Sequence, residues 1–279
     1  MTIDQPTAAG TKGTIVLIHG LWLSARSWEH WVDRYTEAGY TALTPGWPGM
    51  DVDVDVLRKD PSVMDGLGVV EVADHYETLI RSLEAPPILM GHSFGGLLVE
   101  ILLDRGLGSV GVAIHPAPPK GVLRLPVSAL RSAFPVLSNP RNRKRTVSLT
   151  PKQWHYSFTN TMSEEDSKAA YARYHVPAPG RPLFQAATAN INPGAATKVN
   201  FDNDDRAPLL LIAGGADHTV PAALVRENLK RYRRSTAVTD LQEYPERSHF
   251  TAGSPGWEDV ADYALGWAEQ HKNAAPAKP

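Results

Sequence analysis

Gly91-His92-Ser93-Phe94-Gly95-Gly96 sets a serine among glycines, directly after the apolar run at 87–91 and directly before a helical pattern at 94–105. A tight strand-to-helix turn of this kind lifts a hydroxyl clear of a sheet edge. It also sets the hydroxyl at a helix N-terminus, where free N–H groups and the dipole favour a developing anion. Bulky neighbours would collide in such a turn, and Gly91 and Gly95 leave room. The chemistry this offers is nucleophilic attack by Ser93. A serine hydroxyl is a weak nucleophile until a base takes its proton, and the base must be held in one tautomer. The chain therefore needs an acid and a histidine at the same edge.

Parallel sheets present their sites at the carboxyl ends of strands. The run at 208–213 leads into Gly214-Gly215-Ala216-Asp217, which puts Asp217 just past a strand. The strand at about 237–243 leads through Glu243 and Glu246 to Ser248-His249. His249 is the expected base and Asp217 the expected orienting acid. Glu243 and Glu246 are the alternatives for the acid, and His115 is the next candidate for the base. Two backbone donors are needed for an oxyanion. They are expected from Phe94 and from Leu21 or Trp22, in the loop after the first strand. His115, Trp154, Phe158 and His218 are expected to line the substrate pocket.

The elements that must position these residues alternate between strand and helix. Strands are expected at 14–19, 40–44, 87–91, 110–114, 208–213 and about 237–243. Helices are expected at 25–38, 69–83, 94–105, about 221–232 and about 257–270. This is the pattern of an α/β, mostly parallel, doubly wound sheet. Residues 13–115 and 200–271 make its core. The rhythm breaks over 116–195, a proline-rich stretch with short helical pieces, which reads as an inserted helical cap. Residues 1–12 and 272–279 read as frayed tails. Trp28, Trp31 and Tyr35, at three-to-four spacing, read as core. Asp51, Asp53 and Asp55 lack the glycine and closing glutamate of a calcium loop, so no metal is expected there.

Composition narrows the partners. The chain has 279 residues, no cysteine and a formal net charge of -2. Disulfides and thiolate chemistry are excluded. No global basic field draws the chain to nucleic acid or to a membrane, and the basic run at 141–145 reads as a solvated loop. The start lacks an apolar signal stretch and no apolar run is long enough to span a bilayer, so a cytoplasmic location is expected. A monomer or small homo-oligomer is expected.

The His19-Gly20 pair, GHSFGG at 91–96, G-x-A-D-H-x-V-P at 215–221 and the late Ser248-His249 together resemble the α/β-hydrolase superfamily over most of 13–271. The resemblance implies a serine hydrolase acting on a small carboxylic ester or lactone, without a cofactor, beneath a cap. It is similar to bacterial esterases, lactonases and cofactor-free haloperoxidases. Ser93 departs from the dehalogenase and epoxide-hydrolase branches, which carry aspartate there. The same residues also serve amide or C–C bond hydrolysis, lyase and perhydrolase chemistry, or a small-ligand receptor of this fold. The antiparallel strands that often open the family's sheet are expected to be reduced or absent.

Overall fold

The computed structural model describes residues 11–272. Its main sheet has six strands, all parallel. In chain order the elements begin β1 (Thr14–Ile18), α1 (Glu29–Glu37), β2 (Thr41–Leu43), α2 (Val54–Lys59), α3 (Val69–Arg81), β3 (Ile88–His92), α4 (Phe94–Asp104) and β4 (Val110–Ile114). Between β4 and the next sheet strand lie α5 (Val127–Leu137), β5 (Thr146–Val147), α6 (Pro151–Ser157), α7 (Glu164–Tyr174), β6 (Ala178–Pro179) and α8 (Arg181–Ala187). The sheet then resumes with β7 (Leu209–Gly214), α9 (Ala222–Arg231), β8 (Thr239–Tyr244) and α10 (Trp257–His271). β5 and β6 pair only with each other.

The strand order is β2-β1-β3-β4-β7-β8. The chain winds outward from β1 to β2, then crosses back to β3. That reversal opens a crevice at the carboxyl ends of β1 and β3, where loops part to opposite faces. The loop of Gly20 and the turn of Ser93 both lie at that crevice. No opening pair of antiparallel strands precedes β1 among the described residues.

Both faces of the sheet are covered, as side-chain alternation along β1 requires. Ile15 and Leu17 join one apolar cluster with Trp28, Trp31, Tyr35 and the inner face of α10. Val16 and Ile18 join the other with α3, α4 and α9. The aromatics of α1 are therefore core. Trp31 Nε1 donates to the Ala252 carbonyl at 2.8 Å and the Tyr35 hydroxyl to that of Ala261 at 2.9 Å. Asp53 caps α2 through the Asp55 amide, and Asp51 accepts from the Gly46 amide at 2.7 Å. These aspartates fasten local turns. The expected tails fall mostly outside the described residues. At their inner edges, Lys12 bonds the Gly39 carbonyl and Lys272 the Tyr40 hydroxyl.

The α4–α9 interface buries a carboxyl. Glu100 accepts from Asn228 Nδ2 at 2.9 Å and from the Tyr232 hydroxyl at 2.8 Å. Burial pushes it up from 4.5 to about 7, against the pull of those two donors. A carboxyl held neutral in the fold binds more protons folded than unfolded between those values, so it costs stability as pH rises through that window. The full penalty is on the order of 3 kcal/mol. Calorimetric scans should show the Tm of wild type falling relative to Glu100→Gln as pH rises from about 4.5 to about 7. A difference in Tm that stays flat across that range would contradict the buried titration.

Candidate active site

The turn that carries Ser93 is built by close approach. A Cβ on Gly91 would stand 2.1 Å from the Gly95 carbonyl oxygen, and one on Gly95 would stand 2.0 Å from that of Ile18. Only glycine fits at either place. Ser93 itself has φ +58, in the left-handed region that side chains avoid. The strand ends hold it there, because its amide donates to the Ile114 carbonyl at 2.9 Å and its carbonyl accepts from Ala117 at 3.0 Å.

Ser93, His249 and Asp217 form one hydrogen-bonded chain. The Ser93 hydroxyl donates to His249 Nε2 at 2.9 Å, and His249 Nδ1 donates to Asp217 Oδ2 at 2.7 Å. All three are buried. Asp217 comes from the loop after β7 and His249 from the loop after β8. The Gly215 amide donates to the Tyr244 carbonyl and the Ala216 amide to that of Arg247, which locks the two loops together. Glu243 points away and pairs with Arg226 at 2.6 Å, and Glu246 is exposed.

A second imidazole shares the acid. His115 Nδ1 donates to the same Asp217 Oδ2, also at 2.7 Å. Asp217 Oδ1 accepts from the backbone amides of Thr219 and Val220, each at 2.7 Å. Burial alone would raise this carboxyl, but two imidazoles overcome it and hold Asp217 well below the usual carboxylate range. Burial holds His115 below its ordinary value, so it is a neutral donor. His92 lies under the base, its Nε2 donating to the His249 carbonyl at 2.7 Å. Burial and the neighbouring imidazoles keep it far below the ordinary histidine value. His19 props the Trp47 loop, accepting from the Trp47 amide and stacking on its ring.

His115, Asp217 and His249 also make a three-ligand group, with donor atoms within 4.8 Å of one another. A metal there would take His249 Nδ1 and leave Nε2 protonated. It would then be unable to accept from Ser93. Metal binding and base function exclude each other at these residues.

A small cavity of about 140 Å³ reaches Ser93. Its walls are mostly apolar: Trp22, Phe94, Ala117, Leu125, Ala129, Leu130, Ala133, Leu137, Leu183, Ala186, Val220 and Leu224. The expected liners differ. His115 is wholly buried behind Asp217. Trp154 and Phe158 are stacked at 4.3 Å, with Phe158 edge-on to His249 at 4.9 Å, so they buttress the base from behind. His218 turns to α6, donating to the Tyr156 carbonyl at 3.0 Å. These four are off the cavity wall because α6 packs against the loops of Asp217 and His249. The cavity is walled by α5 and α8 instead. Phe94 opens α4, so its amide has no helical acceptor. Leu21 and Trp22 lie on the loop pressed against Ser93, where a Cβ on Gly20 would come within 2.7 Å of Ser93 Cβ.

A profile of the alpha/beta hydrolase family matches residues 15–263. The chain belongs to the alpha/beta hydrolase family. No curated protein matches the sequence. Solved structures match over nearly the whole of this alpha/beta hydrolase. The monoacylglycerol lipase of Paleococcus ferrophilus is 21% identical, with a TM-score of 0.65, covering 94% of this chain and 96% of that one. A methylesterase from Arabidopsis is 17% identical, with a TM-score of 0.61, covering 92% and 99%. A putative non-heme bromoperoxidase of Mycobacterium tuberculosis is 19% identical, with a TM-score of 0.65, covering 94% of each. At such identities the likeness is one of fold. Among the described residues no helix is long and apolar enough to cross a membrane.

Two imidazole protons converge on one buried carboxylate oxygen, so each should be slow to exchange and strongly deshielded. Proton NMR of the wild type should show two such low-field resonances. Asp217→Asn should displace both, and His115→Leu should remove one and keep the other. A spectrum in which His115→Leu leaves both in place would mean that His115 does not share the acid.

Proposed function

We propose that this alpha/beta hydrolase is a serine hydrolase that cleaves a small carboxylic ester or lactone through an acyl-enzyme. The observation that carries the reading is the buried Ser93–His249–Asp217 chain at the inner end of an apolar cavity. Ser93 attacks the carbonyl while His249 Nε2 takes its proton. The tetrahedral oxyanion is met by the Phe94 amide and by that of Leu21 or Trp22. His249 returns the proton to the leaving alcohol, then activates the water that releases the acid. Asp217 holds the tautomer throughout. The proton transfers need no metal and no organic cofactor. The partner is a small ester-like molecule, handled in the cytoplasm.

Residues 116–195 act as the cap, with α5 and α8 enclosing the acyl group. The cavity lies below the range of about 300–1,000 Å³ typical of drug-sized ligands, which favours a short apolar acyl chain.

Ser93→Ala should fold normally and lose roughly 10³-fold or more in kcat on p-nitrophenyl acetate. A fluorophosphonate should label wild type at Ser93 alone, as read by mass spectrometry of its peptides. Label on another residue, or full activity in Ser93→Ala, would overturn the assignment. Filling the cavity tests its role separately. Ala133→Phe should lower kcat/KM on hexanoyl esters about tenfold or more relative to acetyl esters. If both fall by one common factor, the cavity does not hold the acyl chain.

A further inference from the structure

From Arg105 to Ser163 the chain carries nine Lys or Arg and no Asp or Glu. The whole chain has 28 basic and 30 acidic residues, so the rest is left with 19 and 30. The net charge of -2 averages over a strong asymmetry. Arg105 belongs to the core, paired with Asp74 and Glu77. Of the other eight, only Arg124 makes an ion pair among the described residues, with Glu227 at 3.7 Å. Arg131, Arg141, Lys144, Arg145 and Lys152 are exposed and without a carboxylate partner there.

The same stretch exposes apolar side chains. Leu123, Leu125, Val127, Leu130 and Phe134 are 62%, 74%, 81%, 48% and 66% accessible. Along α5, Ala129, Ala133 and Leu137 turn into the cavity over Ser93, while Val127, Leu130 and Phe134 recur at helical spacing on an outer groove. A helix that is apolar on both sides should be buried on both sides. Here Arg131 and Lys152 line the outer groove beside Val127 and Phe134. Leu125 and Leu130 belong to the cavity wall and to the exposed face at once.

We infer that α5 and its basic flanks form a docking surface for an anionic lipid layer. An exposed apolar stripe bordered by Lys and Arg matches such a layer in both its parts, acyl chains below and negative headgroups around. A symmetric second copy fits poorly, because it would bring one basic face against another. An acidic protein would satisfy the charges but would have no use for the continuity of this face with the cavity. A lipid layer does: an amphiphile leaving it passes Leu125 and Leu130 directly toward Ser93. The link to catalysis rests on the hydrolase reading, whereas the docking itself does not.

The full chain is mixed with vesicles of phosphatidylcholine alone and vesicles containing phosphatidylglycerol, and bound protein is measured by co-sedimentation. Wild type and Ser93→Ala should bind the phosphatidylglycerol vesicles equally, and salt should weaken the binding. The pairs Val127→Ser with Phe134→Ser, and Arg141→Glu with Lys144→Glu, should each bind roughly tenfold or more weakly. Both pairs should still turn over p-nitrophenyl acetate at the wild-type rate, which shows that they fold. Failure to bind, equal binding to both vesicle types, or binding unchanged in either pair overturns the inference. So does retention on polyglutamate but not on vesicles, or a dimer that Val127→Ser with Phe134→Ser dissociates. If Ser93→Ala keeps both its vesicle binding and its esterase activity, the docking stands and the hydrolase reading falls.

Discussion

A carboxylate shut away from water has to be held by donors, and Asp217 is held by four. Two imidazoles meet one oxygen and two backbone amides meet the other. An ion buried without such partners would cost several kcal/mol, so the pattern is a condition of folding as much as of chemistry. The four donors come from three places: His115 from the end of β4, His249 from the loop after β8, and the Thr219 and Val220 amides from the turn after β7 itself. Satisfying one side chain therefore fixes three strand ends against each other. His115 reaches the acid with φ +47, a conformation unusual for a histidine. Its ring fits because Gly214 has no side chain, since a Cβ there would stand 2.3 Å from His115 Cε1.

That arrangement was only half visible in the sequence. The strand–turn–helix around Ser93 has a signature of its own, and Asp217 and His249 follow from being the acid and the histidine just past later strands. The sheet itself was legible from alternating apolar runs, to within a residue or two at most ends. His115 follows the strand at 110–114, and one left-handed φ decides whether its ring turns to the pocket or to the acid. Residue types do not announce that angle. The pair Gly214-Gly215 opposite it was the available signal. His92 adjoins Ser93 and alternates with it, and its support of the His249 carbonyl depends on a neighbouring loop folding over it.

The aromatics of α6 failed for a different reason. Trp154 and Phe158 are four apart and so share one face of a helix, which is all that spacing can say. Whether that face meets a substrate or a backbone is a matter of tertiary packing. A total over the whole chain hides a segment in which every charge has one sign, and the short run at 141–145 was its most visible fragment.

The helices between β4 and β7 are fastened very unequally. Around α6, the carbonyls of Tyr156, Ser157 and Phe158 accept from His218, Thr219 and the Phe250 amide, while Asn160 donates to the Ala216 carbonyl. These bonds stitch α6 to the loops that bear the acid and the base. α5 sends those loops a single side-chain bond, from Ser132 to the His218 carbonyl at 3.3 Å, and otherwise packs through Val136 and the side chains around the cavity. Mutational drift is therefore unlike in the two helices. A change of shape in α6 is felt at His249, whereas α5 can be rewritten with the triad left in place. New substrate ranges in this lineage should accumulate on the helix that the chemistry does not hold.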